Sequence, residues 1–188
     1  MDLDEARVGM RLARQAIEIA VNSGERIEAP EGLPAIFEEL GGVFVTLHSG
    51  VLRGCVGYPY PTTTIKEALI DSAISAALHD YRFPPVRADE LPRITMEITF
   101  LSKPVRILGP SDIVIGKHGI IVKKGLQQGL LLPQVATDYG WTAQEFLDQT
   151  YVKAGLTPRG DSAEIFVFEG QVFSELRPGG EVVERCLE

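Results

Sequence analysis

The sequence predicts an α+β fold, with helices set on a mixed, largely antiparallel sheet, and three features carry that prediction. Helix-like and strand-like stretches are interspersed along the chain. Several neighbouring strand-like runs are separated only by tight-turn residues, which makes them hairpins rather than the crossovers of a doubly wound sheet. The run "RITMEITFL" alternates Ile94, Met96, Ile98 and Phe100 with Thr95, Glu97 and Thr99, the pattern of a strand with one buried and one solvated face.

Taken in order, "DEARVGMRLARQAIEIAVNSG" is a helix. Leu12, Ala16, Ile19 and Ala20 recur at steps of three and four, while Arg7, Arg11, Arg14 and Glu18 fall mostly elsewhere. Ser23-Gly24 ends it, glycine suiting the left-handed position after a helix. "ERIEAPEGLPAIFEELGG" is a loop with a brief helix. "VFVTLH" and "VLRGCVGY" form a hairpin about Ser49-Gly50, with Val43, Val45 and Leu47 on one face of the first strand. On the second strand Leu52, Gly54 and Val56 share a face, which leaves Arg53 and Cys55 together on the other. Thr64 and Glu67 have the spacing of a capping box ahead of the alanine-rich helix "KEALIDSAISAALHD", which Pro84-Pro85 cannot continue. "HGIIVKK", a turn "GLQQG" and "LLLPQVA" suggest a second hairpin, the proline limiting its last strand. Thr142 and Glu145 repeat the capping-box spacing before "AQEFLDQTYVKAGL", and "EIFVFEGQVFSEL" reads as two short strands about Glu169-Gly170. The glycine and proline of "ILGPSD" mark the best subdomain boundary.

A chain of 188 residues holds one compact domain or two small lobes, and 45% hydrophobic with 23% charged residues is the mixture of a soluble globular protein. The formal net charge of -8 argues against nucleic acid as the main partner, leaving only local lysines and arginines in its favour. No stretch approaches the roughly 20 apolar residues that cross a bilayer, and the opening "MDLDEARVGM" lacks the pattern of a signal peptide. Cys55 and Cys186 cannot build a disulfide framework, so a cytoplasmic location is expected. His48, His79 and His118 are scattered without ligand spacing, so neither a metal nor a cofactor is expected.

The stretch "SGVLRGCVGYPYP" carries the main chemical candidates. Cys55 is the candidate nucleophile, Arg53 an anion holder on its face, and Gly54 and Gly57 let a ligand or another backbone approach closely. The competing reading makes Cys55 a small core residue. His48, across the hairpin, or His118 is the candidate base, with His79 a further alternative. In "DYRFPPV", Asp80, Arg82 and Phe83 read either as a helix stop or as a rigid ligand-facing loop in which Arg82 recognises a carboxylate or phosphate. Lys117, His118, Lys123 and Lys124 gather around glycines without a phosphate-loop pattern, a solvated hairpin with basic flanks. Trp141 beside a helix start reads as packing.

"LRGCVG", "DYRFPPVRADEL", "GKHGIIV", "LLLPQVATDYGWTAQEFL" and "KAGL" stand in the order and approximate spacing of the AMMECR-type domain, and the chain resembles that family over nearly its whole length. The family usually has isoleucine where this chain has Val56. The resemblance implies one domain over 1–188, of two unequal lobes meeting at a cleft, in a generally intracellular protein. Similar domains in some prokaryotic proteins are associated with Memo-like and radical SAM partners. No reaction comes with the resemblance. The expectation is therefore a ligand-binding protein or enzyme with its site at "LRGCVG", with Arg53, Gly54, Gly57, Arg82 and His118 contacting an unknown small molecule. The alternative is a non-catalytic protein-interaction module.

Overall fold

The computed structural model describes residues 1–185, so Cys186 lies outside the described residues. It has the expected α+β character: the helices α1 (Leu3–Ser23), α2 (Ile65–Leu78), α3 (Pro133–Tyr139) and α4 (Ala143–Lys153) are interspersed with strands. The strands are β1 (Gly42–His48), β2 (Leu52–Tyr58), β3 (Thr95–Leu101), β4 (Val105–Ile107), β5 (His118–Lys124), β6 (Gln127–Leu131), β7 (Glu164–Glu175) and β8 (Val182–Arg185). Among the described residues, the pairs β1–β2, β1–β3, β4–β7, β5–β6, β5–β7 and β7–β8 are all antiparallel. The described residues divide into two compact units, one comprising Met1–Leu101 and residues 171–185, the other Ser102–Gly170.

In the first unit the strand order is β2, β1, β3 and the second half of β7, which also pairs with β8. Helices α1 and α2 bury one face of these strands. Val43, Val45, Leu47, Met96 and Ile98 meet Ala13, Ala16, Leu69 and Ala73 in one core. The alanines of α2 matter because they let the helix come close. Gly54 faces it, and a Cβ at Gly54 would collide with the carbonyl of Ala76. Gly57 lies under the ring of Phe44 in the same manner. Both glycines therefore make room for the protein's own chain, the second of the two approaches their sequence allows.

The second unit sets β4, the first half of β7, β5 and β6 side by side, with α3 and α4 against them. Its own core contains Ile120, Val122, Phe146, Leu147 and Ile165, and Trp141 packs on its margin as expected.

Several local expectations are corrected. Gly170 does not take the left-handed backbone of a turn, and "EIFVFEGQVFSE" runs as one strand, β7, because its two halves pair with different partners. Gln127 to Gly129 belong to β6 rather than to the turn, and Pro133 opens α3 at a position where its missing N–H costs nothing. The Thr64 capping box does not form, since Glu67 pairs with Arg26 instead, whereas the Thr142–Glu145 box does. The crossing between units falls at Leu101/Ser102, with "ILGPSD" inside the second unit. Strands β4 and β8 have no counterpart in the sequence reading, both being too short to show alternation. Among the described residues no peptide bond is cis, Pro84 and Pro85 included.

Candidate functional site

Strand β2 is the outer member of its sheet, so every second backbone N–H and C=O along it lacks a ladder partner. At Cys55 those two groups are claimed by the loop after α2. The Cys55 N–H donates to Asp80 Oδ2 at 2.8 Å, and Arg82 Nη2 donates to the Cys55 carbonyl at 3.0 Å. Arg82 also grips Asp80, Nε to Oδ1 at 2.9 Å and Nη2 to Oδ2 at 2.6 Å. The Arg82 fork thus holds the buried Asp80 carboxyl well below the usual carboxylate range, outweighing the desolvation that opposes it. Arg53 is anchored by the same segment, Nε to Glu90 Oε1 at 2.9 Å and Nη2 to Glu90 Oε2 at 3.1 Å, which lowers the pKa of Glu90. Arg53 Nη1 is buried without a hydrogen-bond partner among the described residues. The register shifts between Leu47 and His48, so Arg53 is the extra residue of a bulge. "DYRFPPVRADEL" and "LRGCVG" are therefore two halves of one hydrogen-bonded assembly, in which both arginine forks take carboxylates of the protein.

Because the backbone groups of Cys55 point away from β1, Thr46 and Cys55 form the non-hydrogen-bonded kind of cross-strand pair, whose side chains stand closer. Thr46 Oγ1 donates to Cys55 Sγ at 3.2 Å. Thr46 is also the register partner of Glu97 on β3. Ser174 Oγ on β7 donates to Glu97 Oε2 at 2.9 Å, and Arg185 Nε on β8 donates to Ser174 Oγ at 3.3 Å. A polar row, Cys55, Thr46, Glu97, Ser174, Arg185, thus crosses the sheet on the face away from the helices. His48 stands opposite Thr95 in the adjacent row of that face. A groove of about 450 Å³ opens here, lined by Thr46, His48, Glu97, Ser174 and Arg185 among others. Cys55 stands half-buried at the end of this row, next to Thr46.

The remaining candidates are placed elsewhere. His118 belongs to the second unit, where its Nδ1 accepts from the Val114 N–H at 3.1 Å and its Nε2 lies 3.9 Å from Glu169. His79 caps α2. Lys117 pairs with Glu169 and Lys124 with Asp161, which spends much of the local basic charge. Among the described residues no three His, Cys, Asp or Glu side chains gather as metal ligands, and no helix is long and apolar enough to cross a membrane. Thr46, Glu97, Ser174 and Arg185 were not singled out by the sequence. Their only trace there was the polar alternation of Thr95, Glu97 and Thr99, which reads equally as a solvated face.

Comparison with known proteins assigns the family. The AMMECR1 family model matches residues 10–173. The chain belongs to the AMMECR1 family. A Methanosarcina mazei relative is 48% identical over 191 residues, covering 96% of each chain. One from Thermococcus gammatolerans is 44% identical, covering 95% of this chain and 94% of its own. The crystal structure of an uncharacterised protein from Pyrococcus horikoshii matches with a TM-score of 0.83 at 38% identity, over 100% of this chain and 99% of that one. AMMECR1 membership therefore spans the motifs from "LRGCVG" through "KAGL", and the names of these relatives attach no reaction to it.

Proposed function

We propose that the polar sheet face of the first unit binds a small polar molecule and that Cys55 acts on it as a nucleophile. The observation that carries this reading is the row from Cys55 through Thr46 and Glu97 to Ser174 and Arg185, because it joins a free thiol to a groove furnished with a carboxylate and a guanidinium. In this reading Thr46 orients the sulfur, His48 takes the thiol proton, and Glu97 and Arg185 hold the ligand's polar groups. Arg53 and Arg82 act one step back, fixing the strand that carries Cys55. A free thiol is kept reduced most readily in a reducing compartment, so the reading includes a cytoplasmic location.

Alkylation of the native protein with iodoacetamide, mapped by mass spectrometry, tests it. Cys55 is expected to be modified ahead of Cys186, and His48→Asn is expected to slow that modification without lowering the melting temperature. A Cys55 that reacts only after denaturation overturns the reading. The exposed aromatic in the "DYRFPPV" loop favours a second one: Tyr81 is 96% exposed, the kind of anchor a protein partner covers. If the site serves association, for instance with a Memo-like or radical SAM protein, Tyr81→Ser abolishes co-elution with that partner while Cys55→Ser leaves it intact.

A further inference from the structure

On the first unit, away from the "LRGCVG" strand, the arginines of α1 line a second groove of about 350 Å³, within the range of small-molecule pockets. Arg7, Arg11 and Arg14 are spaced by four and three residues, so the helix presents them on one face. The loop residues Gly179, Gly180 and Glu181 form the facing wall. Arg14 is already committed. It takes Glu175 bidentately, Nε to Oε1 at 3.0 Å and Nη2 to Oε2 at 2.5 Å, and also donates to the Ile94 carbonyl at 3.0 Å. Glu175 in turn accepts from the Met96 N–H at 3.0 Å, so the inner end of the groove is a rigid, neutralised pair.

The outer arginines are not committed in this way. Among the described residues Arg7 pairs only with Asp4, whose side chain is 88% exposed, one helical turn earlier, and such pairs are weak in water. Arg11 is exposed and has no partner among the described residues. Opposite them the glycines offer no side chains: Gly179 is left-handed at φ 63°, and a Cβ there would find Arg14 as its nearest neighbour at 3.9 Å. Among the described residues that line the groove, Glu181 is the acid not consumed by Arg14. On a protein of net charge -8, three arginines against Glu175 and Glu181 still leave the lining of this groove positive.

We infer that this groove binds a phosphate-bearing small molecule, Arg7 and Arg11 supplying the forks that take its oxygens and the Gly179-Gly180 loop giving it room beside the helix. A tetrahedral group with several oxygens can accept from both forks at once, and arginine suits such bidentate contact better than lysine. Glu181 opposes the ligand's charge and sets its affinity from the other wall.

Inorganic pyrophosphate serves as the probe, titrated calorimetrically into the full-length protein at about 0.05 M salt, where screening is modest. Saturable binding is expected, weakened about tenfold or more in Arg11→Ala and tightened about two- to fivefold in Glu181→Gln, with melting temperatures unchanged. Both substitutions lie on exposed side chains, and Cys55 alkylation proceeds as in the unsubstituted protein. No saturable heat, or affinity indifferent to both substitutions, overturns the assignment. So does citrate binding more tightly than pyrophosphate, or single-stranded DNA binding with a steep salt dependence where pyrophosphate does not.

Discussion

Asp80 is 7% exposed, and its two oxygens meet the Cys55 N–H and the Arg82 fork. Its folded pKa is depressed, chiefly by Arg82. Asp80 therefore stabilises the fold in full above the pH where it ionises in the unfolded chain, about 4, and that stabilisation disappears as pH falls through the lower folded value. Asp80→Asn is expected to cost about 2 kcal/mol at neutral pH, read as a lower urea midpoint at constant slope. The two stability curves should converge on acidification below about pH 4; a gap that stays constant would show that the charge is irrelevant. The residue also marks how far the sequence reaches. Arg82 was legible as a carboxylate binder, and the carboxylate it binds turned out to stand two positions earlier in its own loop. Cys55 was legible as unusual, but Thr46 and Glu97 became its neighbours only through strand pairing.

At the scale of elements, two identical cap signals met different fates. Thr142 accepts from the Glu145 N–H and Glu145 answers through the Thr142 N–H, starting α4 as its spacing predicts. Ahead of α2, Thr64 is drawn into a bridge with Leu40, the Ile65 N–H donates to the Glu39 carbonyl at 2.8 Å, and Arg26 takes the Glu67 carboxylate. Thr64 Oγ1 is left buried without a hydrogen-bond partner among the described residues. Thr142→Val is thus expected to destabilise by about 1 kcal/mol, while Thr64→Val keeps the volume, removes an unsatisfied hydroxyl and is neutral or stabilising by up to about 1 kcal/mol. Chemical denaturation of both variants checks the contrast, and an equal loss in the two would mean that Thr64 does cap its helix. Strand β7 makes the same point: a glycine in mid-strand looks like a turn until both halves are seen to be paired.

For the whole molecule, the division into units is unequal in kind as well as size. The second is a contiguous stretch, Ser102–Gly170, with its own core. The first needs its C-terminal return, since Phe173 and Val182 are buried in its core beside α1 and β3. A fragment of residues 1–101 lacks both side chains and should show no cooperative thermal transition by circular dichroism, whereas residues 102–170 should retain one. A cooperative 1–101 fragment would mean that β7 and β8 are dispensable to the first unit.

By itself the sequence determined the fold class, the helices α1, α2 and α4, the first hairpin, and family membership, because these rest on local periodicity, turn chemistry and contiguous motifs. It also placed Arg53 and Cys55 on the strand they occupy. Only the tertiary structure decided that Gly54 admits the backbone of α2, that Arg53 and Arg82 spend their forks on Glu90 and Asp80, and that the row leading from Cys55 ends at Arg185. Each of these depends on residues far apart in the chain meeting across strands, and register and long-range ion pairs are set by the packing of the whole unit rather than by local spacing.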